Sequence, residues 1–324
     1  MGKIRVGVMR GGPSSEYEIS LLTGGEVLRH IPKDKFTAHD ILISRDGVWH
    51  IDGFPQAPNK LLDKLDVVFN ALHGEFGEDG KVQQILESFK IPYTGSGILP
   101  SAMCISKSIS KNVFSKAGLQ TARSVLFKKD TQNIPEMTYE TRTKLFPPWV
   151  VKPNSRGSSV GVTIARTIPE LQKSIENSFD YDNEILIEEF IEGREATCGV
   201  LENFRNQDLY ALPVVEIIPP PGNFFDYQVK YNGATREICP GNFSRGISDK
   251  IQSIAVAAHK ALGLKHYSRA DFIVSSDKHR EGIYILEVNS LPGLTSQSLL
   301  PKAAESIGLS FSNLIDHLIT LAKS

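Results

Sequence analysis

Asp271, Glu287 and Asn289 are the residues of this chain whose types and spacing point most directly to chemistry. Residues 283–288, opened by Gly282, alternate as a strand of β-branched and apolar residues. Strand side chains alternate faces, so Ile285, Glu287 and Asn289 are expected on one side. Residues 268–274, SRADFIV, read as a second strand joined to the first through a turn near 277–282. Arg269 and Asp271 share a face there, and an antiparallel pairing would bring Asp271, Glu287 and Asn289 together. A lone carboxylate is costly to bury. Three convergent oxygen-bearing side chains with an arginine beside them instead describe a cation and phosphate site, since Mg²⁺ takes oxygen ligands and usually keeps a phosphate among them. Taken alone, residues 282–298 also fit a strand end whose Glu287 pairs with a basic neighbour.

The elements that must position these groups are legible to different degrees. Residues 149–153, WVVKP, form a strand that enters NSRGSSVG at 154–161, and residues 162–165 leave it as another strand. Small residues there let backbone N–H groups close over a phosphate, and Lys152 supplies a point charge. A flexible surface hairpin accounts for the same pattern equally well, and the spacing is not that of a Walker A loop. Residues 4–9 form a strand running into GGPSSE, where Ser15 and Glu18 have capping-box spacing and predict a helix start. Residues 67–72 form another, ending in HGEFGEDG at 73–80 and followed by a helix over 81–89. No dinucleotide fingerprint is present. This alternation predicts a small doubly wound parallel domain to about residue 100, with ligands at the carboxyl ends of its strands.

Further on, 107–116 is helical and stopped by Gly118, 128–146 carries weak signals, and 185–190 and 196–201 are strands. Glu188 and Glu195, taken singly, read as solvated-face residues. Residues 209–217 read as one strand, 224–240 as a long loop of the kind that covers a site, and 248–262 and 309–321 as amphipathic helices. The 324 residues contain 36 Lys+Arg and 37 Asp+Glu, a net charge of −1 that gives no electrostatic case for nucleic acid or a membrane surface. No apolar run is long enough to span a bilayer. The early strand argues against a signal peptide, and three scattered cysteines fit a reducing, cytoplasmic setting.

Eight segments, in order, carry a resemblance: GGPSSEYEIS (11–20), ALHGEFGEDG (71–80), PYTGSG (92–97), VVKPNSRGSSVG (150–161), ILIEEFIEGRE (185–195), FFDYQVKY (224–231), SRADF (268–272) and LEVNSLPGLTSQSL (286–299). Together they resemble the D-alanine–D-alanine ligases, ATP-grasp enzymes of bacterial cell-wall synthesis. The resemblance implies an α/β N-terminal domain (1–104) followed by two α+β ATP-grasp subdomains (105–190 and 191–324) that clamp ATP. It also implies a two-step reaction in which ATP phosphorylates the carboxylate of one D-alanine and the amine of a second attacks the acyl phosphate. The implied cofactors are ATP as co-substrate and two Mg²⁺, with Mn²⁺ possible. The implied partners are two D-alanine molecules and a second copy of the chain.

Carried over by motif, Glu16 would hold the first ammonium, with His73 near the carboxylate. Ser158 and Tyr231 would bond to Glu16, and Ser298 with Leu299 would receive the second carboxylate. Lys107, Lys152, Ser158, Ser159, Glu188, Glu195, Phe224 and Lys230 would contact ATP, and Asp271, Glu287 and Asn289 would hold metal. Arg269 and the Gly293 N–H would face the tetrahedral oxyanion, with Lys230 on the 224–240 lid meeting the γ-phosphate. The chain departs from common family versions at Arg156, where an acidic residue is frequent, at Arg10, and in a slightly short lid lacking a tyrosine before Cys239. Ligases of D-alanine with D-serine or D-lactate, or of another dipeptide, are the main alternative, and Tyr231 speaks against the lactate version. A nucleotide-binding regulator without catalysis is the remaining one.

Overall fold

The computed structural model describes residues 2–220, 235–277 and 281–324. Three sheets divide the chain. In the first, Ile4–Gly11 lies between Phe36–Ile43 and Val67–Asn70, parallel to both, and the short strands Trp49–Ile51 and Phe54–Pro55 extend the edge antiparallel. Alternation along Ile4–Gly11 sends Val6 and Val8 to one core and Met9 to the other. The first core takes Val27 from the helix Tyr17–His30 and Ile31 from the residue that follows it, and Leu314, Ile315, Leu318 and Ile319 from the last helix, Phe311–Lys323. The second takes Leu61, Val82 and Leu86. With apolar residues covering both faces, the parallel strands are buried as such sheets require.

The second sheet is antiparallel, in the order Ser124–Lys128, Glu184–Glu189, Trp149–Pro153, Thr163–Ala165. Its helices, Ile134–Lys144 and Ile168–Ser178, both begin with a capping box, Asn133 with Glu136 and Thr167 with Glu170. The third sheet runs Arg236–Ile238, Val215–Ile218, Gly193–Phe204, Tyr267–Ser275, Ile283–Asn289, with Gln207–Ala211 also paired to Gly193–Phe204. Helix Arg245–Leu262 buries Ile251, Ala255, Ala258 and Leu262 against Ala196, Cys198, Val200, Ala270 and Phe272, and ends at Gly263 with φ +65°. The opposite face of these strands is left for Glu195, Thr197, Arg269 and Asp271, at alternate positions.

Several expectations need correction. The first helix begins at Tyr17 after a Glu16 cap with no side-chain cap bond, so Ser15 and Glu18 do not form a box; Ser14 Oγ accepts from the Glu16 N–H instead, at 3.0 Å. Residues 128–146, weak in signal, contain the capped helix Ile134–Lys144, and Ile98–Ile105 is a helix that the sequence pattern did not mark. The strand expected over 209–217 is two, Gln207–Ala211 and Val215–Ile218, divided at Leu212–Pro213–Val214 because proline has no N–H for the ladder. Arg236–Ile238, within the expected loop, is an edge strand on Val215–Ile218.

Candidate active site

The pairing of Tyr267–Ser275 with Ile283–Asn289 sets Asp271 opposite Glu287 and Arg269 opposite Asn289. A register shift between Asp271 and Phe272 leaves Leu286 as an extra residue. Ile283 and Ile285 therefore point into the helix-covered core, while beyond the bulge it is Val288 that does so. Glu287 and Asn289 are thrown to the other face, and Ile285 does not share it as strict alternation predicts. Asp271 is held by four donors: Arg269 Nε and Nη2, both at 2.9 Å, Thr197 Oγ1 at 2.7 Å, and Asn289 Nδ2 at 3.2 Å. Thr197 lies across the ladder from Asp271. Two opposed carboxylates and a carboxamide form an all-oxygen donor set that suits a hard divalent cation, since the carboxamide can turn either end to the site.

Lys107, the first residue of helix Lys107–Lys116, connects this face to the 154–161 loop. Its Nζ donates to the Arg156 carbonyl at 2.6 Å and lies 3.5 Å from Glu287 Oε2. One turn along, Lys111 Nζ sits 2.8 Å from Glu188 Oε1, and Lys152 Nζ lies 2.8 Å from Glu188 Oε2. All three groups are buried. Burial raises the Glu188 pKa, but the Lys111 and Lys152 ammonium charges outweigh it and hold the carboxyl below its usual range. Burial lowers the Lys111 pKa against the pull of Glu188. Glu188 is thus no solvated-face residue, and Glu195 stands across the ladder from Ile273, on the face that carries Asp271.

The 154–161 loop meets Glu16, the residue before the helix Tyr17–His30: a Cβ on Gly157 would collide with Glu16 Oε1. Ser158 and Ser159 both take left-handed backbone, φ +50° and +56°, between Gly157 and Gly161. For a residue other than glycine that conformation costs on the order of 1–2 kcal/mol, and such strain gathers at ligand clamps. On the same side as Glu16, which lies close to Gly74, His73 is buried, with Nε2 2.8 Å from Thr23 Oγ1 and Nδ1 3.6 Å from Glu78 Oε1. Arg10, the second departure noted in the sequence, makes a bidentate pair with Asp40 at 2.7 and 2.6 Å and ties the neighbouring strands Ile4–Gly11 and Phe36–Ile43 together. Ser298 Oγ accepts from the Thr295 N–H at 3.0 Å and stands where a Cβ on Gly293 would approach to 2.9 Å; Leu299, next to it, packs on the large core cluster. Phe224, Lys230 and Tyr231 lie outside the described residues.

Two family models match the chain, D-ala D-ala ligase N-terminus over residues 52–96 and D-ala D-ala ligase C-terminus over residues 113–320. The D-alanine–D-alanine ligase of Syntrophobacter fumaroxidans is 41% identical over 99% of this chain and 98% of its own length. The chain belongs to the D-alanine–D-alanine ligase family. Among solved structures, the VanG D-Ala:D-Ser ligase of Enterococcus faecalis superposes with a TM-score of 0.85 at 33% identity, over 99% of this chain and all of that one. The Bacillus anthracis D-alanine–D-alanine ligase complexed with ATP superposes with a TM-score of 0.79 at 32% identity, over 98% and 97%. The ATP-grasp fold expected of the family is therefore the fold of this chain.

Within this ligase fold, the sequence pattern missed Lys111 and Thr197. Lys111 had a signal: it follows Lys107 by four residues, so both lie on one face of a single helix. Thr197 had none, because its bond to Asp271 depends on which strands are neighbours. No helix among the described residues is long and apolar enough to cross a membrane.

Proposed function

We propose that this protein is an ATP-dependent ligase that joins two D-alanines into D-alanyl-D-alanine for peptidoglycan precursor synthesis, acting in the cytoplasm as a homodimer. The observation that carries the reading is Lys107, which touches both the 154–161 backbone and Glu287, and so joins a phosphate-cradling loop to a carboxylate pair. In the first step a carboxylate oxygen of one D-alanine takes the γ-phosphoryl group of ATP, and ADP leaves. Lys107 and Lys152 offset the negative charge of the phosphates, and Glu16 holds the ammonium of that D-alanine beside the buried His73. In the second step the neutral amine of the other D-alanine attacks the acyl carbon. Arg269 and the Gly293 N–H face the oxyanion of the tetrahedral intermediate, phosphate leaves, and the nitrogen sheds a proton. Ser298 receives the second carboxylate. Asp271, Glu287 and Asn289 would hold Mg²⁺, which neutralises charge on the transferring phosphoryl group when bound. The part of 224–240 that precedes the edge strand, with Phe224 toward the adenine and Lys230 and Tyr231 over the phosphate and Glu16, would exclude water from the acyl phosphate.

A ligase of D-alanine with D-serine is the second reading, favoured by the 33% identity to the VanG D-Ala:D-Ser ligase across nearly the whole chain. The test is ADP release with D-alanine alone and with D-alanine plus each of a panel of D- and L-amino acids and D-lactate, with product analysis. The dipeptide of D-alanine should dominate. A mixed product in excess at equal concentrations would replace the first reading with the second, and ATP binding without ADP release would leave only a nucleotide-binding regulator.

A further inference from the structure

Arg156 stands where the family resemblance places an acidic residue, and its surroundings explain the exchange. Its Nε donates to the Tyr181 carbonyl at 2.7 Å, which fixes the guanidinium, and Nη1 pairs with Glu75 Oε1 on the 73–80 loop of the N-terminal domain. The loop carrying Arg156 is anchored on its own side. The Ser155 N–H and Oγ both donate to Asp182 Oδ2, at 2.7 and 2.6 Å, and Lys107 holds the Arg156 carbonyl. On the opposite side, Ser14 Oγ lies 3.4 Å from Glu75 Oε2 as a donor and accepts from the Glu16 N–H. Gly157, the residue after Arg156, packs on the Glu16 carboxylate so closely that a side chain there would clash. The ion pair and the Glu16 contact are therefore two adjacent stitches across one seam.

We propose that Arg156 and Glu75 are a positioning pair that latches the phosphate loop onto the N-terminal domain and holds Glu16 in place for the ammonium of the first substrate. This rests on the ligase reading above and assigns Arg156 to first-substrate geometry, away from ATP contact. Both side chains are about one-third exposed, 34% and 31%, so salt weakens the pair and global stability gains little from it. Its effect falls on where the loop sits. Reversing one charge sets like charges opposite each other and opens the seam, whereas reversing both restores the attraction.

The test uses R156E, E75R, the double variant E75R/R156E, and the milder E75Q, all on the full chain. Hydrogen exchange of amides 154–161 is read with a non-hydrolysable ATP analogue bound, alongside separate KM values for ATP and for D-alanine at the first site. Each single reversal should lower loop protection and raise the first-site KM about tenfold, while the ATP KM moves less than about twofold. The double variant should recover both readouts, and E75Q should show a smaller change that added salt does not enlarge. A double variant no better protected than the worse single, or an ATP KM that moves while the first-site KM stays, overturns the latch. If the unaltered protein releases no ADP with D-alanine, the ligase reading falls, and the exchange data still decide the latch.

Discussion

Asp271 and Glu287 face each other across one ladder step, yet they are differently held. Asp271 is oriented by Arg269, Thr197 and Asn289, and Glu287 Oε2 lies 3.5 Å from the Lys107 ammonium. A carboxylate locked by an arginine is a rigid ligand, and the lysine beside Glu287 also holds the 154–161 loop through the Arg156 carbonyl. Glu287→Gln keeps the shape and removes one charge. Turnover should fall by at least about a hundredfold, the size expected when charge stabilisation at a phosphoryl site is lost, with the melting temperature little changed. ADP release at saturating Mg²⁺ measures it, and an unaltered rate would remove the metal role from Glu287.

At the scale of the element, helix Lys107–Lys116 brings two lysines to one face at a spacing of four. Lys111 and Lys152 share the Glu188 carboxylate, so neither ammonium is fully neutralised by it. Lys111→Met keeps the bulk of the side chain and leaves Glu188 to Lys152 alone. The charge that Lys152 offers to a phosphate should then be spent on Glu188. The KM for ATP should rise about tenfold with the D-alanine KM nearly constant, and stability should fall, because a buried carboxylate loses one of two partners. Steady-state kinetics against each substrate decides this. Equal changes in both KM values would make Lys111 a general packing residue.

Across the whole molecule, the N-terminal and C-terminal sheets are tied by short links at residues 95–96. The Gly95 N–H donates to His266 Nδ1 at 3.0 Å, and the Lys265 N–H to Ser96 Oγ at 3.1 Å. Burial pushes the His266 pKa down from 6.5 to about 4, with Glu202 opposing the shift and Lys265, His259 and His317 adding to it. Between those values the unfolded chain binds the proton and the folded one does not, so stability is full above pH 6.5 and is lost as the pH falls toward 4. The loss amounts to about 3 kcal/mol at most. Protonation also removes the Nδ1 acceptor that receives the Gly95 N–H. His266→Asn retains an acceptor and tolerates the φ of +66° found there, so its urea-unfolding free energy should decline less between pH 7.5 and 4.5 than that of the parent chain. Parallel declines would assign the acid sensitivity elsewhere, with Glu202 the nearest carboxylate.

The sequence by itself determined the order of motifs, most strands and helices, and the convergence of Asp271, Glu287 and Asn289. These follow from local rules: side-chain alternation, glycine and proline punctuation, and antiparallel return across a short turn. It also gave Lys152 and the small-residue loop, with a hairpin reading equally open. Tertiary structure alone decided the rest. The bulge at Leu286 re-aimed Glu287 and Asn289, Thr197 reached Asp271 from a strand seventy-four positions away, and Arg156 found its countercharge in Glu75, on a loop that follows a strand of another sheet. Each of these depends on which backbones lie side by side. That is set by packing of the cores over long separations, and no local pattern of residue types encodes it.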